Sequence, residues 1–89
     1  MAAMDISVEL TLSPLTDSYE GEIIRFIKAL RCSGLTVLEN PLSTQVYGDY
    51  DEVMALLHTE MRKSLEACGQ AVFYLKMVKT DRSAYEPHF

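Results

Sequence analysis

The sequence predicts an α+β sandwich, a four-stranded antiparallel sheet with two helices on one face in the order βαββαβ. Three observations predict it: period-two alternation near the start of the chain, two helix-period apolar stripes each opened by an acidic capping pair, and connections of only a few residues between elements.

The first strand is read from Asp5 to Ser13. Ile6, Val8, Leu10 and Leu12 fall on one side and Ser7, Glu9, Thr11 and Ser13 on the other, the pattern of a half-buried strand. Pro14 ends it. Thr16-Asp17-Ser18 then forms a polar turn, with Asp17 three residues before Glu20 as a capping pair. In the helix that follows, Ile23, Phe26, Ile27 and Leu30 make the buried stripe, Ile24 widens it, and Arg25, Lys28 and Arg31 form a solvated face. Gly34 suits the left-handed position beyond its end. Leu35 to Glu39 and Ser43 to Tyr47 read as a hairpin turned at Asn40-Pro41. Asp49 and Glu52 repeat the capping pair, and Val53, Leu57, Met61, Leu65 and Cys68, helped by Met54, form the core stripe of the second helix, which Gly69 ends. Ala71 to Lys79 is the last strand, and Thr80 to Phe89 is a polar tail that frays or docks on a neighbour. The whole chain thus forms one domain with its core at about residues 5–79, in the split βαβ arrangement called ferredoxin-like, with the first and third strands central.

At 89 residues, of which 48% are apolar, such a chain buries only about 60–65% of its unfolded surface. Stability is then marginal unless subunit contacts add to it. The last strand is apolar on both sides, with Ala71, Phe73, Leu75 and Met77 opposite Val72, Tyr74, Lys76 and Val78. An uncovered sheet face of this kind predicts self-association as a dimer or tetramer. Eight basic against thirteen acidic residues give a net charge of −5, which argues against nucleic acid and anionic membranes as partners. No apolar stretch is long enough to span a bilayer and the start lacks the pattern of a secretory leader, so a soluble, cytoplasmic protein is expected. Cys32 and Cys68 are too far apart for a CxxC motif and read as free, buried thiols. Neither a metal site nor a cofactor is signalled.

Catalytic chemistry finds little support. The loop Pro14-Leu15-Thr16-Asp17-Ser18-Tyr19 has neither the arginine of an acyl-phosphate hydrolase nor the CxxC of a copper chaperone. His58 is solvent-facing on the second helix, His88 lies in the tail, and neither has a partner at a recognisable spacing. No glycine-rich turn or Lys–Arg cluster is placed to hold a diphosphate. Glu9 stands out, because a carboxylate in the middle of a central strand costs free energy when covered unless it is bonded. Three fates are open to it: an ion pair with Lys76, exposure on an uncovered face, or contact with a ligand.

The segments Ser7-Val8-Glu9-Leu10-Thr11-Leu12-Ser13-Pro14-Leu15, Asn40-Pro41-Leu42-Ser43-Thr44-Gln45-Val46-Tyr47-Gly48-Asp49 and Asp51-Glu52-Val53-Met54 resemble the small YkoF-like thiamine-binding family, most specifically from Ser43 to Asp49. The resemblance implies a ferredoxin-like fold, assembly through the sheets, often as a tetramer, and a non-catalytic binding protein for thiamine or its hydroxymethylpyrimidine half. It puts Thr44 first among ligand residues, followed by Ser43 and Thr11. Thr44 also reads as an ordinary β-branched strand residue. Hydroxyls at Thr11, Ser43 and Thr44 and the Glu9 carboxylate suit the donor–acceptor edge of an aminopyrimidine, and Tyr47 or Tyr74 offers a ring face to a thiazolium cation. The serine of Leu12-Ser13-Pro14-Leu15 replaces an aromatic residue frequent in the family. With no diphosphate cradle, the resemblance favours the free vitamin or its pyrimidine precursor as ligand. The rival reading is a ligand-free structural or regulatory module that uses the sheet for assembly.

Overall fold

A computed structural model describes residues 3–17 and 19–88. Strand β1 (Asp5–Pro14), helix α1 (Tyr19–Arg31), strands β2 (Thr36–Glu39) and β3 (Thr44–Asp49), helix α2 (Tyr50–Ala67) and strand β4 (Ala71–Lys79) follow in the expected order. The strands form one antiparallel sheet ordered β2-β3-β1-β4, so the fold is the ferredoxin-like α+β sandwich.

Alternation along β1 sets the register on both sides of it. Val8 stands opposite Val46 and Met77, and Glu9 stands opposite Gln45 and Lys76. Ile6, Val8, Leu10 and Leu12 face the helices at no more than 7% exposure and join Phe26, Leu30, Val46, Val53 and Leu57 in one core. A slip of one residue would turn that set out to solvent. Phe26 meets Phe73 with ring centroids 5.3 Å apart and planes tilted by 56°, an attractive edge-on geometry.

Two glycines are required by geometry. Gly34, at φ +83°, takes the left-handed turn between α1 and β2. Gly48 lies on the helix side of β3, where a Cβ would stand 3.2 Å from Leu35 Cδ2 and 3.4 Å from Val53 Cγ2. Gly69 does not repeat Gly34, because α2 stops at an extended Cys68 and the turn beyond it has no positive φ. At the other end of α2, Asp49 caps as expected, its Oδ2 accepting from the N–H of Asp51 at 3.1 Å and of Glu52 at 3.4 Å. The turn proposed to cap α1 includes Ser18, which lies outside the described residues.

Helix α1 faces the sheet through the expected stripe, with Ile23 packed on the core and Ile27 half-buried, but Ile24 does not widen it, and α2 turns a different stripe inward in its second half. Ile24 is exposed, while Phe26 and Leu30 carry the contact of α1. In α2 the buried positions are Val53, Leu57, Glu60 and Ser64, and Leu65 is 51% exposed. Stepping by four residues rotates a helix position by about 40° each time, so the series Val53, Leu57, Met61, Leu65 winds away from the core by its third step. The centre of the stripe belongs to two polar residues because a polar partner awaits them on α1. Arg25 Nε donates to Glu22 Oε1 at 2.7 Å, Nη1 to Glu60 Oε1 at 2.8 Å, and Nη2 to Ser64 Oγ at 2.9 Å; the Ser64 hydroxyl donates in turn to Glu22 Oε1 at 2.7 Å. Arg25 is therefore the clasp between the helices rather than part of a solvated face. Its hydrogen bond to Glu60 holds that carboxyl below the ordinary carboxylate range, against the opposing effect of burial.

Cys32 also departs from expectation. It follows α1 on the surface as an exposed free thiol, while Cys68 is half-buried.

Candidate functional site

The face of the sheet turned away from the helices carries the candidate site. Strand parity places Ser7, Glu9 and Thr11 of β1, Gln45 and Tyr47 of β3, and Tyr74, Lys76 and Val78 of β4 on this open face. Ser7, Glu9, Gln45, Tyr47, Lys76 and Val78, together with Arg82 from the segment after β4, line a hollow of about 190 Å³.

Glu9 realises two of its three open fates together. Its Oε1 lies 3.8 Å from Lys76 Nζ, a loose ion pair, and both side chains remain substantially exposed. Its Oε2 accepts from the Ser43 hydroxyl at 3.1 Å, and Ser43 Oγ accepts from Gln45 Nε2 at 2.7 Å. This chain of bonds orients the carboxylate along the sheet while leaving acceptor capacity open. Thr11 Oγ1 donates to the Leu42 carbonyl at 3.4 Å, tying β1 to the β2–β3 turn. That turn is held by Asn40 Oδ1, which accepts from the N–H of Leu42 at 2.9 Å and of Ser43 at 3.0 Å.

The residues after β4 do not fray away from the sheet. Thr80 N–H donates to the Asp5 carbonyl at 2.9 Å, the Ser7 hydroxyl donates to the Thr80 carbonyl at 2.7 Å, and Ser7 Oγ accepts from the Arg82 N–H at 2.9 Å. Thr80 makes the turn at φ +128°, a conformation that a β-branched residue adopts only under constraint. The Arg82 guanidinium lies 5.4 Å from the centre of the Tyr85 ring, and a bond from Tyr85 N–H to the Arg82 carbonyl at 3.1 Å closes the turn. Asp81 Oδ1 accepts from the Ser83 N–H at 2.8 Å, and bonding to Ser83, chiefly from its side chain, holds the Asp81 carboxyl below its ordinary range.

Four of the five residues selected from the sequence therefore share the open face: Glu9, Thr11, Ser43 and Tyr47. Thr44, the first choice, does not. It pairs with Leu10 and Glu39 on the helix side at 8% exposure, where it shares no surface with the other four. Parity carried that information, since Thr44 is in step with Val46 and the core whereas Ser43 is in step with Gln45 and Tyr47. Ser7, Gln45 and Lys76 could have been found by the same rule. Arg82 could not, because nothing before the turn at Thr80 shows where the chain goes next. Two cations, Lys76 and Arg82, line the hollow.

His58 is exposed on the outer side of α2, away from the hollow. Among the described residues no group of three or more His, Cys, Asp or Glu is placed to hold a metal ion, and no helix is long and apolar enough to cross a membrane.

The fold and site define a class: a ferredoxin-like sandwich with an open sheet face and a small polar hollow at its centre. No protein-family model matches the chain and no curated protein matches it. Solved structures do. It is similar to a candidate thiamine biosynthesis/salvage protein of Thermotoga maritima at TM-score 0.74 and 20% identity, covering 82% of this chain and 81% of that one. A hypothetical protein of Methanocaldococcus jannaschii gives TM-score 0.74 and 22% identity over 86% and 81% of the two chains. A domain of unknown function from Bacillus cereus gives TM-score 0.73 and 12% identity over 97% and 80%. At these identities the likeness establishes the fold.

Proposed function

We propose that this chain is a non-catalytic, self-associating protein that binds thiamine or its hydroxymethylpyrimidine moiety on the open face of the sheet. The observation that carries the reading is the bonded row Gln45, Ser43, Glu9, which runs beside the Tyr47 ring and the hollow. An aminopyrimidine presents donors and acceptors along one edge and a flat π-face, and this arrangement offers a match to each. The thiamine biosynthesis/salvage description of the Thermotoga maritima structure supports the choice of ligand, as does the family resemblance of the same strand segments. Glu9 is the single carboxylate among the residues lining the hollow and no histidine joins it, which favours binding over acid–base chemistry.

Size narrows the ligand. A hollow of about 190 Å³ is smaller than the roughly 300–1,000 Å³ of typical ligand pockets. One protomer suits a single ring, and a two-ring ligand needs walls from a second copy. Strand β4 supplies a surface for that copy: it is an edge strand of nine residues, and Tyr74, Leu75, Met77 and Val78 are exposed on it, Tyr74 at 63%. Long apolar edges of this kind are templates for pairing. The same exposure favours the second reading, a ligand-free assembly module.

Titration calorimetry separates the two. Thiamine or hydroxymethylpyrimidine should give saturable heat that weakens in Glu9→Gln, while sedimentation velocity shows an assembly larger than one chain that Tyr74→Lys shifts toward monomer. Assembly without heat at millimolar ligand would leave the module reading standing alone.

A further inference from the structure

We propose that the segment after β4 is a built part of the ligand site, and that Arg82, with Lys76 across the hollow, makes the site selective for a flat ring bearing an anionic group such as a phosphate monoester. The inference rests on the ring-binding reading above and deepens it by naming the ligand class.

Charge is the first observation. The chain carries a net charge of −5, yet the side chains lining this hollow include two cations, Lys76 and Arg82, against one carboxylate, Glu9. Glu9 accepts from the Ser43 hydroxyl and stands 3.8 Å from Lys76, whose charge it offsets, so the positive charge left over in the site is that of Arg82. Among the described residues no carboxylate pairs with Arg82; its guanidinium rests on the Tyr85 ring. A cation–π contact of this kind uses the ring face and does not consume the guanidinium N–H donors, which can form a fork to an anion.

Placement is the second, independent observation. The main chain of Arg82 is fixed at both ends, its N–H on Ser7 Oγ and its carbonyl on the Tyr85 N–H. Ser7 is itself a lining residue, and its hydroxyl also donates to the Thr80 carbonyl. One strand hydroxyl thus pins the segment at two points two residues apart. The turn that brings the chain there forces Thr80 to φ +128°, an unfavourable conformation that persists only where surrounding bonds over-determine it. A segment that only needed to leave the sheet would have no reason to keep such a turn. Here the turn brings Arg82 back to β1, where it joins Ser7 and Glu9 in lining the hollow. A ring lying beside Tyr47 would keep its polar edge toward Glu9 and Gln45 and carry its substituent toward Arg82.

The test is titration calorimetry of the full chain with hydroxymethylpyrimidine, its phosphate monoester, phenyl phosphate and inorganic phosphate. Each probe is measured on the unaltered protein, Arg82→Ala and Arg82→Lys, with melting temperatures to show that the variants fold. The monoester should bind on the order of ten- to a hundredfold more tightly than the neutral pyrimidine, the range of hydrogen bonds to a charged group. That advantage should vanish in Arg82→Ala, survive in part in Arg82→Lys, and shrink with added salt. The neutral pyrimidine, which has no anionic group for Arg82 to meet, should lose less affinity in each variant than the monoester loses. Equal affinity for monoester and neutral pyrimidine, or an advantage that persists in Arg82→Ala, overturns the inference and leaves the ring-binding reading intact. Inorganic phosphate binding as tightly as the monoester also overturns it, because the ring then adds nothing. Arg82-dependent binding of phenyl phosphate, with no binding of either pyrimidine, upholds the anion selectivity and removes the pyrimidine. No heat from any probe removes both.

Discussion

The two faces of β1 are built from alternate residues of one ten-residue strand and are held in place by different physics. On the helix side, Ile6, Val8, Leu10 and Leu12 are fixed by burial and close packing, with no bond that singles out any one of them. On the open side, Ser7, Glu9 and Thr11 are fixed by named hydrogen bonds to Thr80, Arg82, Ser43 and Leu42. Burial is non-directional and supplies most of the stability, whereas hydrogen bonds supply position and rather little net free energy. The difference teaches that stability and recognition in this chain should respond to separate substitutions on neighbouring residues.

The largest break in that comparison is Leu10→Ala set against Glu9→Gln. Removing the Leu10 side chain from the core should cost about 2–5 kcal/mol, enough to bring a chain of this size close to unfolding. Glu9→Gln, one residue away, should change stability by no more than about 0.5 kcal/mol and should weaken ligand heat. Urea titration followed by circular dichroism checks the first effect and calorimetry the second. A Glu9→Gln protein as destabilised as Leu10→Ala would show that the open face also belongs to the folding core.

Next in size is the clasp between the helices, where the closed side of the molecule is held by directed bonds. Glu60→Gln should cost about 1–3 kcal/mol, less than a fully buried pair because Arg25 is 36% exposed and keeps Glu22 as a partner. The pH dependence has a definite sign. The Glu60 carboxyl is depressed in the folded protein, chiefly by the Arg25 hydrogen bond, so its contribution is complete above the unfolded carboxylate pKa of about 4.3. It disappears as pH falls below that value and through the depressed one. Arg25 is shifted upward by the same bond, so its own contribution is constant across the acidic and neutral range. Stability measured from pH 7 to pH 3 should therefore fall less steeply in Glu60→Gln than in the unaltered chain. Parallel slopes would mean that the acid sensitivity lies with other carboxylates.

The architecture was legible where one face of an element is fully buried. Alternation located β1, Asp49 and Gly34 marked real boundaries, and the strand order followed from the order of elements. Legibility failed where polar residues are buried by meeting each other. Hydrophobicity cannot announce Glu60 and Ser64 as the middle of a helix stripe, because what places them there is Arg25 on another element. The site shows the same division. Parity on a strand sorts Ser43 and Tyr47 from Thr44, a distinction the motif as a whole obscured, since Ser43 and Thr44 are adjacent in sequence and point to opposite faces. Arg82 was beyond reach because its position depends on a backbone turn at a threonine, and propensity gives no warning of a positive φ there.

The smallest effect concerns that turn and reverses the usual sign of a glycine substitution. Replacing a strand-flanking residue by glycine normally destabilises by roughly 0.5–1 kcal/mol through the freedom it adds to the unfolded chain. At Thr80 the native φ of +128° already carries an unfavourable conformation of order 1–3 kcal/mol, which glycine removes. Thr80→Gly should therefore be neutral or more stable by up to about 1 kcal/mol, read as a raised urea midpoint at unchanged slope. Ser7→Ala, which removes the hydroxyl that pins Thr80 and Arg82, should cost about 0.5–1.5 kcal/mol. In the double variant the penalty of Ser7→Ala should be smaller, because a glycine at position 80 no longer needs that bond to hold a strained threonine in place. Strict additivity of the two changes would separate the turn from the serine, and with it the open face from the segment that folds back across it.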